Sequence, residues 1–371
     1  MNAPTPLLEV KRLRVDYVSE SGTVHAVTDV DLTLQRGEIL GLAGESGSGK
    51  STLAYAITRL LRPPAEITGG EVLYHSSKHS GAPPLDILRL GSPQLRALRW
   101  SEVAIVFQSA MNALNPTMTV GAQVRDVLAA HRPDLSPGGR QARAAELLSL
   151  VGIAPDRLTS YPHELSGGMR QRAIIAIALA LSAELIIMDE PTTALDVVVQ
   201  REILLELMRL REQLHLSILF ITHDLSLLLE VADTIAIMYA GRVAEISSAR
   251  ALHQQPLHPY TYGMLHSFPS LRGPRRTMIG IPGAPPDLRA VPPGCAFHPR
   301  CPLAFAPCAR VIPRLLPAAS SQTAPISRQQ VACHRYDPAY AAGMAPPTSA
   351  ELEAAYAATS TSVREKGRAS L

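Results

Sequence analysis

Gly44-Glu45-Ser46-Gly47-Ser48-Gly49-Lys50-Ser51 fits the pattern G-x-x-x-x-G-K-[ST] at every position, and the rest of the chain is read outward from it. Its flanks fit as well. Glu38-Ile39-Leu40-Gly41-Leu42-Ala43 predicts an apolar strand running into the loop, and Ser51 to Leu61 predicts a helix running out of it, stopped by Pro63-Pro64. In such a turn the glycines let backbone N–H groups point inward and cradle phosphate oxygens, while the following helix N-terminus adds a favourable dipole. Lys50 is placed to reach the β and γ phosphates, and the Ser51 hydroxyl to ligate Mg²⁺. With Thr52 just beyond, this stretch is the expected nucleotide-binding set. A glycine-rich helix cap alone would not require that strand and that helix on either side.

Upstream, Leu13 to Val18, Val24 to Val27 and Val30 to Leu34 alternate apolar and polar residues, which predicts short antiparallel strands. Downstream, strands are predicted at Leu185 to Met188, Ser217 to Ile221 and Thr234 to Met238, separated by helical stretches at Val199 to Leu214 and Leu225 to Val231. Strands alternating with helices imply a parallel sheet covered on both faces. The fold class is therefore α/β, with a mainly helical block at about 109–178 as an inserted lobe. The organisation expected is a nucleotide-binding domain over 1–255, a Pro- and Gly-rich extension over 256–340 and a weakly ordered Ala/Ser/Thr-rich tail over 341–371.

Leu185-Ile186-Ile187-Met188 ends in Asp189-Glu190. Beside a phosphate loop, the first acid is suited to the Mg²⁺ shell. The second is suited to polarising the attacking water, in a reaction where positioning supplies most of the acceleration. An acid pair that merely capped the next turn would look the same in isolation.

Leu165-Ser166-Gly167-Gly168-Met169-Arg170-Gln171, shortly before that acidic strand end, resembles the signature sequence of ABC ATPases. The resemblance implies a P-loop NTPase with a RecA-like sheet core, N-terminal antiparallel strands and an inserted helical lobe. It also implies ATP and Mg²⁺ as ligands and head-to-tail pairing, in which Ser166, Gly167 and Gly168 of one subunit meet the γ-phosphate held by Lys50 of the other. Three further positions take family roles. Gln108 resembles the Q-loop glutamine that senses Mg²⁺, Ala194-Leu195-Asp196 the D-loop, and His223 the switch histidine. Tyr17 takes the place of the aromatic residue that stacks on adenine. The implied catalytic group is thus Glu190, His223 and Gln108.

Phe107-Gln108 followed by Met111-Asn112-Ala113-Leu114-Asn115-Pro116 is similar to the extended Q-loop of oligopeptide and dipeptide importer ATPases. So are His258-Pro259-Tyr260-Thr261 and the segment from Pro293-Gly294-Cys295 to Arg300-Cys301-Pro302. That narrower resemblance covers about 7–337 and implies a subunit lying peripherally on the cytoplasmic face of the membrane. Its implied partners are two permease subunits, a second and non-identical ATPase, and an external substrate-binding protein that chooses the cargo. An importer for nickel or another small solute remains an alternative, and so does a soluble ABC ATPase unconnected with transport. About 120 residues separate Gly44 from Ser166, too few for the coiled coil of DNA-repair members, and a single motif set departs from the two-cassette translation type.

Composition agrees with a globular chain that does not span a membrane. Hydrophobic residues make up 46% and charged residues 18% of the 371, and the formal net charge of +3 gives no electrostatic pointer to nucleic acid. The most apolar run, Ala173 to Ala183, is far short of the roughly 20 residues a membrane helix needs. No N-terminal apolar stretch is long enough for a signal peptide.

All four cysteines, Cys295, Cys301, Cys308 and Cys333, fall in the extension at spacings C-x5-C-x6-C-x24-C, with His298 and His334 nearby. A chain without a secretory signal argues against disulfides. The close knuckle of a zinc site is missing, and four thiolates suit a [4Fe–4S] cluster. Resemblance to dipeptide importer ATPases, some of which carry such a cluster, makes iron–sulfur the expectation and zinc the alternative. The role expected for either is to staple a segment poor in apolar periodicity.

Overall fold

The computed structural model describes residues 6–20, 22–79, 82–107, 113–193, 195–267, 280–318, 329–341 and 343–368, with side chains as far as 359. The chain begins with two long strands, β1 (Pro6–Ser19) and β2 (Gly22–Gln35), then β3 (Ile39–Ala43) and α1 (Lys50–Ile57). β4 (Ala65–Tyr74), β5 (Leu85–Asp86), α2 (Ser92–Leu98) and β6 (Val103–Val106) follow. Next come α3 (Val120–His131), α4 (Pro137–Leu150), α5 (Gly167–Ala178), β7 (Leu185–Asp189), α6 (Val197–Leu214), β8 (Ser217–Ile221), α7 (Leu225–Val231) and β9 (Thr234–Tyr239). Beyond β10 (Arg242–Ser248) lie α8 (Ala249–Gln254), α9 (Pro259–His266), β11 (Leu316–Pro317), β12 (Gln330–Val331), α10 (Pro338–Ala341) and α11 (Ser349–Arg368).

These strands make two sheets. A four-stranded antiparallel sheet runs β2-β1-β4-β5, and an eight-stranded sheet runs β11-β12-β10-β9-β3-β8-β7-β6. In the second, β6 to β7, β7 to β8, β8 to β3 and β3 to β9 are all parallel pairs, so the strand feeding the glycine loop is central. Side-chain alternation sorts each parallel strand between two cores. Ile186 and Met188, with Ile218 and Phe220, face the helical side. Leu185 and Ile187, with Leu219 and Ile221, face α1 and the antiparallel sheet.

The expected three short N-terminal strands are two 14-residue ones. Arg12 and Asp29, with φ 45° and 49°, sit in the left-handed region and shift the register, which breaks the alternation that the sequence pattern depends on.

Helices α3 to α8 start on side-chain caps. Thr119, Ser136, Ser166, Asp196, Asp224 and Ser248 each accept from a backbone N–H two or three residues on. Each such cap is worth roughly 0.5–2 kcal/mol. Helices α3, α4 and α5 bury Val124, Leu128, Leu147, Leu148 and Ile174 in the same cluster as β7 and β8, so the helical lobe is continuous with the sheet core.

The extension is not a free-standing appendage. Phe297, 1% exposed, enters the main core beside Tyr239 and Tyr260, with ring centroids 5.2 and 5.3 Å away. The tail departs from expectation too. Residues Ser349–Arg368 form a helix, and Leu352 and Tyr356, one turn apart on one face, are fully buried against Tyr262. Tyr356 also donates from its hydroxyl to the Pro259 carbonyl at 2.9 Å. Ala, Ser and Thr dominate the composition, but two large apolar residues at helical spacing are enough to dock it. Among the described residues no helix is long and apolar enough to cross a membrane.

Candidate active site

The glycine loop joins β3 to α1 and closes around its own lysine. Lys50 is 6% exposed and donates to the carbonyls of Gly44 and Glu45 at 2.8 and 3.0 Å. Burial lowers its pKa, while Glu190, Asp189 and Glu45 pull it back up. Gly49 has φ 100°, and a Cβ there would meet the Ala26 carbonyl oxygen at 2.2 Å, so no other residue fits. Gly47, φ 78°, faces open space instead. The loop is thus pinned at its base and clear at its crest, where phosphate would lie.

Ser51 donates from its hydroxyl to Asp189 Oδ1 at 3.0 Å. Asp189 is fully buried at the end of β7, and burial pushes its carboxyl pKa up, although hydrogen bonds from Ser51 and Tyr55 pull the other way. Its Oδ2 is buried without a hydrogen-bond partner. A buried carboxylate oxygen left in that condition costs on the order of 1–3 kcal/mol, which a cation would remove. Ser51 and Asp189 could therefore hold Mg²⁺ between the loop and β7.

Glu190 follows in the left-handed region, φ 48°, its N–H bonded to the Ile221 carbonyl at 2.9 Å. Such a residue carries strain of about 1–3 kcal/mol, and here it turns the carboxylate toward His223, whose Nδ1 lies 3.3 Å from Oε1. Thr193 donates to the other oxygen at 3.0 Å. His223 is more than half exposed, and so open to a ligand. Tyr17 on β1 reaches the same loop, its hydroxyl 3.2 Å from that of Thr52.

The other sequence-picked residues lie apart from this cluster. Ser166 caps α5 by accepting from Met169 N–H at 3.3 Å and is itself exposed, with Gly167 and Gly168 opening the helix. Asp196 caps α6 by accepting from Val199 N–H at 3.0 Å. Gln108, Met111, Asn112 and Ala194 lie outside the described residues.

Two residues in contact with the loop were not singled out from sequence. The Tyr260 hydroxyl accepts from the Glu45 backbone N–H at 2.8 Å, and Arg300 reaches both Glu45 carboxylate oxygens at 2.6 and 2.9 Å. Their only advance signal was a place inside the quoted motifs around His258 and Cys301. Nothing local indicates that they reach across more than 200 residues to the loop.

Cys295, Cys301, Cys308 and Cys333 line one small enclosed cavity together with His298 and His334. All four are free thiols. Burial raises each thiol, Cys295 to about 11 and Cys333 to about 12. The turns converge through the backbone: Cys295 N–H donates to the Cys308 carbonyl at 2.8 Å, and His298 N–H to the Cys295 carbonyl at 2.9 Å. His334 Nε2 bonds the Val311 carbonyl, whereas its Nδ1 is buried with no partner. Among the described residues no three His, Cys, Asp or Glu side chains form a group that could hold a metal ion, so the expected metal site of the four cysteines finds no support in the geometry.

Residues 27–193 match the family model described as ABC transporter, and 244–308 the one described as oligopeptide/dipeptide transporter, C-terminal region. The dipeptide transport ATP-binding protein DppD of Bacillus subtilis is 42% identical over 311 residues, covering 83% of this chain and 90% of that protein. The oligopeptide transport ATP-binding protein OppD of Salmonella typhimurium is 42% identical over 311 residues, covering 82% and 90%. Among solved structures, the ATP-binding cassette MJ0796, a dimer in a post-hydrolysis state bound to ADP and Pi, superposes with a TM-score of 0.56 at 28% identity. That match covers 66% of this chain and 99% of the other. CbiO1 of Clostridium perfringens, part of the complex cbiONQ, gives the same TM-score and identity over 67% and 91%.

Proposed function

This chain belongs to the ABC transporter ATPases, in the branch of oligopeptide and dipeptide ATP-binding subunits, and on that premise we propose that it hydrolyses ATP to drive a membrane importer of di- and oligopeptides. One arrangement carries the chemistry: buried Lys50, the Ser51–Asp189 pair and the Glu190–His223 pair all converge on the glycine loop. Lys50 and the loop amides bind the phosphates. Ser51 and Asp189 would hold Mg²⁺, with Gln108 expected to complete its shell, and the ion would supply charge neutralisation at the phosphates. Glu190 accepts the proton of the attacking water, held in place by Thr193 and its strained backbone. His223 contacts the γ-phosphate from the exposed side, and Tyr17 stacks on the adenine.

The site is half of a pair. Ser166 is exposed at the start of α5, and Val197 and Val198 beside Asp196 are 79% and 70% exposed, an apolar surface that fits burial by a second ATPase. The relative MJ0796 is itself dimeric. In the head-to-tail pairing, Ser166 to Gly168 of one subunit cover the nucleotide on Lys50 of the other. We expect that second ATPase to be a paralogue. Two permease subunits dock on the helical lobe near Gln108 at the cytoplasmic face of the membrane, and an external binding protein delivers cargo. Closure on ATP and reopening after hydrolysis shift the permease between its two facing states.

Reconstituting the chain in vesicles with its two permeases, its partner ATPase and the binding protein tests this. Peptide-loaded binding protein should stimulate phosphate release and labelled peptide should accumulate. Uptake of a different solute alone would overturn the peptide assignment, and absence of hydrolysis in the full assembly would overturn the ATPase assignment.

For the four thiols of the extension we keep a [4Fe–4S] cluster as the reading, with zinc as the alternative, on the likeness to dipeptide importer ATPases. The thiols share one cavity, and burial raises the pKa of each, so that a bound cation would be needed to favour their thiolate forms. Such a cluster would be held by Cys295, Cys301, Cys308 and Cys333 and would lock the turns of the extension together. Anaerobically purified protein should be brown and contain iron and sulfide. Colourless protein with stoichiometric zinc would reverse the assignment.

A further inference from the structure

We propose that Arg300 and Tyr260 of the C-terminal extension are positioning residues of the nucleotide site, clamping Glu45 so that the phosphate loop holds its binding shape and carries no uncompensated acid. The inference rests on the reading of that loop as an ATP site. Glu45 is the second residue of the loop, and a bare carboxylate there would repel the nucleotide's phosphates. Arg300, 7% exposed, cancels that charge with a two-pronged contact at 2.6 and 2.9 Å. Its remaining N–H groups go to fixed acceptors: Pro282 and Gly283 carbonyls at 2.8 and 3.4 Å, and the Tyr239 hydroxyl at 3.3 Å. All five guanidinium donors are thereby engaged, and the fork cannot swing away to solvent.

Tyr260, fully buried, fixes the other end of the same residue by accepting from the Glu45 N–H at 2.8 Å. The Glu45 carbonyl in turn accepts from Lys50 Nζ at 3.0 Å. A continuous chain of contacts thus runs from the extension through Glu45 to the lysine that meets phosphate. Arg300 closes the short turn His298–Arg300, which runs from the Cys295 carbonyl to Cys301. The turn that carries a thiol to the cysteine cavity therefore also carries the guanidinium to the loop, which gives the extension a part in ATP binding.

The test is binding of a fluorescent ATP analogue with Mg²⁺ to the full chain, comparing R300M, E45Q, the double variant R300M/E45Q and K50A. R300M should weaken binding by about tenfold or more, equivalent to about 1.4 kcal/mol, with kcat at saturating ATP little changed. Adding E45Q should recover most of that loss, because the acid that Arg300 neutralises is then gone. A purely structural collapse of the extension would not be rescued by E45Q, so a double variant as weak as R300M overturns the proposal. Wild-type binding by R300M overturns it as well. If K50A also bound normally, the fault would lie in the nucleotide-site reading; a defect in K50A alone would sink the clamp and leave that reading standing.

Discussion

The glycine loop and the cysteine cavity both bury chemistry that water would otherwise satisfy, yet they balance it differently. At the loop the protein supplies both signs of charge: Lys50 sits among Asp189, Glu190 and Glu45, and Arg300 closes on Glu45. At the cavity four thiols line one space and burial drives them all toward the neutral form, opposed by backbone N–H groups at each and by a charged side chain, Arg335, at Cys333 alone. A site that carries its own counter-charges is formed before its ligand arrives. One that does not needs the ligand to acquire its charged form. On this view the loop should tolerate loss of its nucleotide, whereas the extension should loosen if the cluster proposed for it is withheld.

The largest effect expected on the loop side is Glu190→Gln. Losing a general base costs roughly 10²–10⁴-fold in rate, so steady-state phosphate release should fall by that order while ATP binding stays intact. Unchanged hydrolysis would remove Glu190 from the mechanism. On the extension side, Tyr356→Ala deletes a fully buried ring and its hydrogen bond to Pro259. Truncating a large core aromatic costs about 3–5 kcal/mol. Hydrogen exchange should then show α11 opening while α1 and β7 keep their protection. Loss of protection at the loop as well would mean that the two regions are one cooperative unit.

How much of this was legible follows the same division. Loop, acidic strand end and the Ser166 turn are each runs of consecutive residues, so sequence alone locates Lys50 and Ser166 at helix starts and Asp189 and Glu190 at a strand end. Strand β8 and helix α7 were also placed with their observed bounds, because apolar runs between polar turns mark both. What was missed depends on contacts between distant residues. Arg300 meets Glu45 across 255 positions, and no local pattern encodes that. Strand β4 was hidden by Gly69 and Gly70 in its middle, where Gly70 takes φ 97° opposite the bulge at Arg12. Helix α11 is hard to read from sequence because Ala, Ser and Thr outweigh the i, i+4 pair Leu352 and Tyr356.

The smallest expected effect concerns the joint between the two regions. Glu245 on β10 is fully buried and accepts from Leu257 and His258 N–H at 3.0 and 2.8 Å. Burial raises its pKa to about 7 and lowers that of His258 to about 4. The raised carboxyl contributes stability that is present below pH 4.5 and lost as pH rises through 7. The depressed imidazole contributes stability that is present above pH 6.5 and lost as pH falls through 4. Over the shared window from pH 4.5 to 6.5 the two slopes oppose each other. In Glu245→Gln only the histidine slope remains, so its melting temperature should climb with pH across that window more steeply than the wild type's. Equal slopes would show that Glu245 does not titrate there.

The central claim is that the nucleotide on Lys50 is enclosed only when the Ser166 to Gly168 turn of another subunit closes over it. Light scattering on the Glu190→Gln chain, alone and mixed with its partner ATPase, tests this most directly. In Mg-ATP the mass should be that of two ATPase subunits. It should revert to that of one in Mg-ADP, or when Ser166→Arg is introduced into both chains at equivalent positions. Single subunits in Mg-ATP under every mixture would contradict the account.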